Sequence, residues 1–207
     1  MTIRFYSWPR SSGTRVHWAL EELGIAYDLV LVDAANKEHK SPEYLAINPN
    51  GKVPALVDDG VTYFESLAIL LHLAHAYGVD RGVWPAATDR QAHADALCWA
   101  TWAHTELWAY MIQYVYHGLD APMSYKPADR SAAAAAWSLH NFDAQLDMLE
   151  GRLTDRDHVL GDFSLVDVPI ASVLSLGKRL GVALGDHPKL QAWLARCTAR
   201  PALQRAR

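Results

Sequence analysis

Cysteine is nearly absent from this chain: two residues in 207, Cys98 and Cys197, far apart. That excludes a disulfide framework. A chain of this length needs none, because folding buries about seven-tenths of its unfolded surface. Both cysteines fall in helical patterns and read as reduced packing residues of a cytoplasmic protein. Charge of one sign is also lacking. Nineteen Lys and Arg face 23 Asp and Glu, a net charge of −4, with both signs scattered. No basic block or stripe marks a nucleic-acid or anionic-lipid surface, so neither partner is expected. No apolar run approaches the roughly 20 residues of a membrane-spanning helix. The opening Met1 to Tyr6 reads as a strand, without the hydrophobic region of a signal peptide. The ten histidines show no metal-ligand spacing, so no metal is expected.

Half of the residues are apolar and a fifth are charged, an ordinary globular balance. The most informative stretch runs from Asn48 to Ser66. Val53, Ala55, Leu56 and Val57 suit a short buried strand. Asp58-Asp59-Gly60 is hairpin chemistry, since Asp and Gly tolerate left-handed backbone angles. Val61 to Phe64 suits the returning strand. Glu65-Ser66 then opens a helix with Leu67, Leu70, Leu71 and Ala74 at helical spacing. A helix N-terminus offers unpaired N–H groups and partial positive charge. With Glu and Ser side chains beside it, that terminus suits a small zwitterion. A cis Val53-Pro54 bond would turn the Val53 backbone towards such a ligand.

The rest of the chain falls into two regimes. Before the hairpin come a strand at Ile3 to Ser7, a loop, a helix at Thr14 to Leu23 stopped by Gly24, and a strand at Ile25 to Asp33. Val16, Ala19, Leu20 and Leu23 are the apolar face of that helix. A right-handed crossover makes the two strands parallel. A short helix follows, capped by Ser41 with Pro42 at its first position. The first 78 residues therefore read β-α-β-α-β-β-α, a compact α/β unit. Residues 79–88 read as a linker. Residues 89–207 read as an all-helical domain with no convincing strand. A long helix is expected from Asp89 to Gly118, with Leu97, Ala100, Thr101, His104, Trp108, Met111 and Val115 inward; His104 reads as a satisfied core histidine. A second runs from Pro127 to Leu153. Phe163-Ser164-Leu165-Val166-Asp167-Val168 is a helix start, with Ser164 as cap and Asp167 reaching back. A last helix covers Pro188 to Ala199.

The first loop, Trp8 to Gly13, places hydroxyls at a helix N-terminus. A thiol bound there would feel the helix dipole and accept a hydrogen bond from serine, and both favour thiolate. Lowering a thiol pKa by about two units needs under about 3 kcal/mol, which one charge-assisted hydrogen bond plus the dipole supplies. The bland role for Ser11 or Ser12 is to cap the helix, and the two roles can coexist, one per serine.

At this point the chain resembles a family along essentially its whole length. The residues that carry the likeness are Pro9-Arg10-Ser11-Ser12-Gly13-Thr14-Arg15-Val16, Ala19-Leu20-Glu21-Glu22-Leu23-Gly24, Asn48-Pro49-Asn50-Gly51-Lys52-Val53-Pro54, Glu65-Ser66 and Phe163-Ser164-Leu165-Val166-Asp167. It is similar to the cytosolic glutathione transferases, in their serine-type branches such as theta, delta and zeta. The resemblance implies a thioredoxin-like N-terminal domain, an all-helical C-terminal domain and a homodimer. It implies glutathione as co-substrate, conjugated to a small hydrophobic electrophile in detoxification chemistry. Glu65 and Ser66 would hold the γ-glutamyl end. Val53, with Pro54 in cis, would pair with the cysteinyl unit. Lys52, Lys40 or His39 would meet the glycyl carboxylate. Counting back from Thr14-Arg15-Val16 puts Ser11 at the thiolate-stabilising position. Ser12 stands one place later, and Tyr6 near where tyrosine-type members keep their hydroxyl. Arg10, Trp102, Trp108 and Met111 are the residues expected around the second substrate, between the domains. Two alternatives stay open: a non-catalytic ligand-binding or regulatory protein of the same fold, and a glutathione-dependent isomerase or peroxidase.

Overall fold

A computed structural model describes residues 2–206. The chain divides into two compact units. One runs to Pro85 and regains the residues from Arg200 onward; the other is Ala86–Ala199.

The first unit is built on strands β1 (Ile3–Ser7), β2 (Asp28–Leu31), β3 (Ala55–Asp58) and β4 (Val61–Phe64). Their order in the sheet is β2-β1-β3-β4. β1 and β2 are parallel, with Tyr6 opposite Val30. β3 runs antiparallel to both β1 and β4, with Leu56 opposite Phe5 and Tyr63. β2 is shorter than the expected Ile25 to Asp33, because an edge strand extends only as far as its one partner. Helices α1 (Gly13–Leu23), α2 (Pro42–Ile47) and α3 (Ser66–Leu73) accompany the sheet, and α3 continues as a wider π turn, Ala74–Gly78. Ser41 caps α2 by accepting from the Tyr44 N–H at 3.2 Å. Phe5, Val16, Trp18, Leu20, Leu56, Ile69 and Leu73 are fully buried at the centre.

Residues from Gly78 to Pro85 lie within the α/β unit. Arg81 Nε donates to the Leu23 carbonyl at 2.6 Å and Nη1 to Tyr77 at 3.0 Å. Trp84 is buried. At the other end of the chain, a short helix that the sequence pattern did not show, Pro201–Arg205, packs on α1. Residues 200–206 thus belong with the α/β unit rather than the helical one.

The second unit holds α4 (Arg90–Trp102), a π turn (Ala103–Leu107), α5 (Trp108–Gly118), α6 (Ala132–Arg152), α7 (Asp167–Arg179) and α8 (Pro188–Thr198); the short helix on α1 is α9. Asp89 caps α4 by accepting from the Ala92 N–H at 3.1 Å. The inward stripe is Ala96, Ala100, Ala103, Leu107, Met111 and Val115. It differs from the expected stripe over the first half, where Leu97 and His104 are only half-buried and Thr101 is exposed. The buried face there is made of alanines, which carry little hydrophobic weight in a periodicity reading. The π turn then shifts the register. His104 Nδ1 donates to the Ala100 carbonyl at 3.1 Å. α6 begins at Ala132, not Pro127, because Ser131 caps it through the Ala134 N–H and Pro127–Asp129 forms a separate 3₁₀ turn. Among the described residues, no helix is long and apolar enough to cross a membrane.

Candidate active site

The site lies in the first unit, where the loop before β3 meets the N-termini of α1 and α3. That loop is fixed by its own side chains. Asn48 is buried; its Nδ2 donates to the Lys52 carbonyl at 2.6 Å, and its Oδ1 accepts from the Asn50 N–H at 3.0 Å. Tyr44 also donates to the Lys52 carbonyl, at 2.7 Å. Burial pushes the Tyr44 hydroxyl up to about 12, so it stays a donor. Lys40 Nζ donates to the Gly51 carbonyl at 2.7 Å. Gly51 itself has a positive φ of 56°, and a Cβ there would meet His39 and Lys40 at 2.8 Å. The chain then enters Val53, which is buried, and the Val53–Pro54 peptide is cis.

Glu65 closes the other side. Its backbone sits at φ 68°, ψ 122°, a region that L-residues seldom occupy, and its carbonyl accepts the Ile69 N–H of α3 at 3.0 Å. The exposed carboxylate accepts from Asn50 Nδ2 at 3.1 Å, so loop and helix start are joined. Ser66 is buried as the first residue of α3.

The serine loop completes the group. Ser11 Oγ donates to the Trp8 carbonyl at 2.8 Å, accepts from the Gly13 N–H at 3.1 Å and lies 3.2 Å from Ser7 Oγ. Gly13 leaves room for the Ser7 hydroxyl, since a Cβ there would fall 2.0 Å from Ser7 Oγ and force it to turn away. Ser12 is exposed, and its Oγ donates to the Val53 carbonyl at 3.3 Å. One hydroxyl is thus set into the helix start and the other reaches across to the β3 side. Arg15, in the first turn of α1, is buried; desolvation lowers its pKa to about 10, so it stays cationic at neutral pH.

Comparison with known proteins matches this architecture. The family model for the glutathione S-transferase N-terminal domain matches residues 1–75, and that for the C-terminal domain matches residues 95–201. The chain belongs to the glutathione S-transferase family. It is similar to glutathione S-transferase GstB of Escherichia coli K12, at 31% identity over 204 residues covering 96% of this chain and 95% of the other. Theta-1 of Mus musculus is 34% identical over 179 residues, covering 84% and 73%. Among solved structures, the theta class glutathione S-transferase from the citrus canker pathogen Xanthomonas axonopodis pv. citri, with glutathione bound, superposes with a TM-score of 0.81. It is 28% identical and covers 99% of this chain and 96% of its own.

As an enzyme of the glutathione S-transferase family, the chain has its expected residues placed as follows. Ser11, Ser12, Val53, Pro54, Glu65 and Ser66 come together around the cis-proline loop, whereas Lys40 is spent on loop carbonyls. Lys52 is exposed beside Val53, and the His39 ring packs edge-on to Trp8 at 5.4 Å. Arg10 is exposed at a positive φ of 62°. Tyr6 is buried in a cluster with Tyr44 and Val53, a packing position. The Met111 side chain is fully buried and lies about 3.4 Å from where a Gly177 Cβ would stand. Trp102 is half-buried and donates to Gln145 Oε1 at 2.7 Å, and Trp108 is half-buried. The sequence reading missed Ser7, Asn48 and Asn50. The Asn-Pro-Asn-Gly run was the available signal for the two asparagines, since Asn side chains commonly fold back on their own turn.

Proposed function

We propose that this glutathione transferase binds glutathione in the α/β unit and holds its sulfur as a thiolate at Ser11. It then adds that thiolate to a small hydrophobic electrophile. The observation that carries the reading is the junction of the serine loop with the Val53 edge, through Ser12 Oγ at 3.3 Å, beside the Glu65-Ser66 helix start. The relatives with glutathione bound support the choice of ligand. The Glu65 carboxylate and the α3 N-terminus suit the α-ammonium and α-carboxylate of the γ-glutamyl end. The Val53 backbone suits the cysteinyl amide. Ser11 already receives the Gly13 N–H, which polarises its own O–H. On thiolate arrival it exchanges the Trp8 carbonyl for sulfur. The carboxylate of the glycyl end faces the neighbourhood of Lys52 and His39. Trp102 and Trp108 are the proposed source of apolar contacts for the acceptor. A cytoplasmic homodimer is proposed with this activity, supported by the exposed Val61 and Phe64 of edge strand β4.

Ser11→Ala tests the reading. One charge-assisted hydrogen bond is worth about 1.5–3 kcal/mol. The expected result is kcat/KM down roughly 10- to 100-fold and the bound-thiol pKa up by about one to two units, with glutathione affinity little changed. An unchanged pKa and rate would remove Ser11 from the mechanism.

A further inference from the structure

Three potential ligands of different chemistry meet in the helical unit. Asp167 stands at the first turn of α7, Cys197 in the last turn of α8, and His158 in the bridged turn that pairs with Gly161. Cys197 Sγ lies 3.8 Å from His158 Nδ1, and that nitrogen lies 3.5 Å from Asp167 Oδ1. All three ligand atoms are within 4.8 Å of one another. We propose that His158 and Cys197 bind a borderline divalent cation of the zinc type, with Asp167 as a weaker third ligand through an oxygen it shares with Trp193 and Val159, and water completing the shell.

The spacing supports this. With metal–sulfur bonds of about 2.3 Å and metal–nitrogen or –oxygen bonds of about 2.0–2.1 Å, a tetrahedron has ligand–ligand edges of about 3.3–3.6 Å. The two short edges here already approach those lengths. Thiolate and carboxylate together neutralise a dication, and imidazole suits the same metals. Cys197 and Asp167 are fully buried, and the His158 side chain is 14% exposed, which leaves one open side. Asp157 and Arg196, the residues just before His158 and Cys197, line a groove of about 320 Å³ that the three ligands themselves do not line. The carboxylate is held in place. Oδ1 accepts from Trp193 Nε1 at 2.7 Å and the Val159 N–H at 3.1 Å, and Oδ2 from the Ser164 N–H at 2.9 Å and hydroxyl at 3.3 Å. Such outer partners orient a metal ligand, but they also fill the lone pairs of Oδ1. The cation therefore enters chiefly through sulfur and imidazole, with Asp167 sharing an oxygen already bonded to Trp193. The three residues are 9 and 30 positions apart in sequence, which is why no motif announces them.

Cobalt(II) is the probe, added to the full chain carrying Cys98→Ser so that the exposed thiol is silent. One equivalent should bind per chain, with tetrahedral d–d bands and a thiolate-to-cobalt charge-transfer band. Zinc should displace it and raise the thermal midpoint. In the same background, Cys197→Ser should abolish the charge-transfer band. His158→Gln should weaken binding by more than the roughly 10- to 100-fold that loss of an outer-shell partner costs. Both variants leave the Asp167 cap intact. Absence of tetrahedral bands in the Cys98→Ser chain would overturn the proposal without recourse to any variant. So would a charge-transfer band that survives Cys197→Ser.

Discussion

Ser11 and Ser12 are adjacent, yet their surroundings assign them different work. Ser11 is half-buried with three polar neighbours within 3.2 Å, while Ser12 is exposed and makes one long bond to Val53. Ser12→Ala should therefore lower kcat/KM by less than about threefold, since a weak exposed hydrogen bond is worth about 0.5 kcal/mol. A larger loss than that of Ser11→Ala, in the same steady-state assay, would reverse the two roles. Asn48 is the residue whose loss should be felt most in the loop. Asn48→Ala leaves the Asn50 N–H without its side-chain acceptor and removes one donor from the Lys52 carbonyl. Urea unfolding should show about 1–3 kcal/mol of lost stability, together with weaker glutathione binding by calorimetry. The candidate residues were legible where the signal was local. Glu65-Ser66 was legible as a helix start, although the positive φ of Glu65 was not, and the Asn-Pro-Asn-Gly run marks a turn without naming the bonds Asn48 and Asn50 make in it. Ser7 was not legible, because its relation to Ser11 depends on how the strand ends against the loop.

Side chains close several helix starts of the second unit. Before α7 the Ser164 N–H and hydroxyl meet Asp167 Oδ2, and Val166 N–H meets Ser164 Oγ at 3.3 Å, so Asp167 reaches back to Ser164 as expected, while the N-cap position itself falls to Val166. Asp167 also binds Trp193 of α8, which joins two helices through one carboxylate. Asp167→Ala would leave buried donors from Val159, Ser164 and Trp193 without acceptors, each costing about 1–3 kcal/mol. The expected outcome is a several-kcal/mol loss in denaturant unfolding, or failure to accumulate folded protein. Asp89→Ala at the exposed start of α4 should cost only about 1 kcal/mol. Capping residues lie within four positions of what they cap and can be found in sequence. The inward face of α4 was legible only in part: Ala100 was expected inward, but Ala96 before it and Ala103 at the following π turn signal burial far more weakly than the tryptophans beside them.

Across the whole molecule, the two ends of the chain are tied together inside one unit. Arg200 donates to both Glu22 oxygens at 2.6 and 2.7 Å, and Trp18 Nε1 shares that carboxylate at 2.8 Å. Arg205 and Tyr27 donate to Glu21, at 2.5 and 2.6 Å. Burial alone would raise the Glu21 pKa, but hydrogen bonds from Tyr27 and Arg205 and the charges of Arg205 and His17 hold it below 4.5. Burial lowers His17 below 6.5, against the pull of Glu21 and the Ala206 backbone. Both folded-state pKa values lie below the unfolded ones, so the unfolded chain takes up protons first and stability falls on acidification. The decline should begin as pH drops below 6.5 through His17 and continue below 4.5 through Glu21. Glu21→Gln should flatten the lower part of that limb, which pH-dependent urea melts would show. None of this clasp was legible in the sequence. The Glu22 to Arg200 bond spans 178 positions, and nothing local to Arg200 or Arg205 names a partner.

The clasp also bears on how the protein is made. A ribosome delivers the four strands early, but the short helix that covers α1 emerges only after more than a hundred further residues have been translated. The α/β unit must therefore wait, incomplete, until the helical unit has been synthesised, and a stalled or truncated message would release it with the outer face of its first helix uncovered.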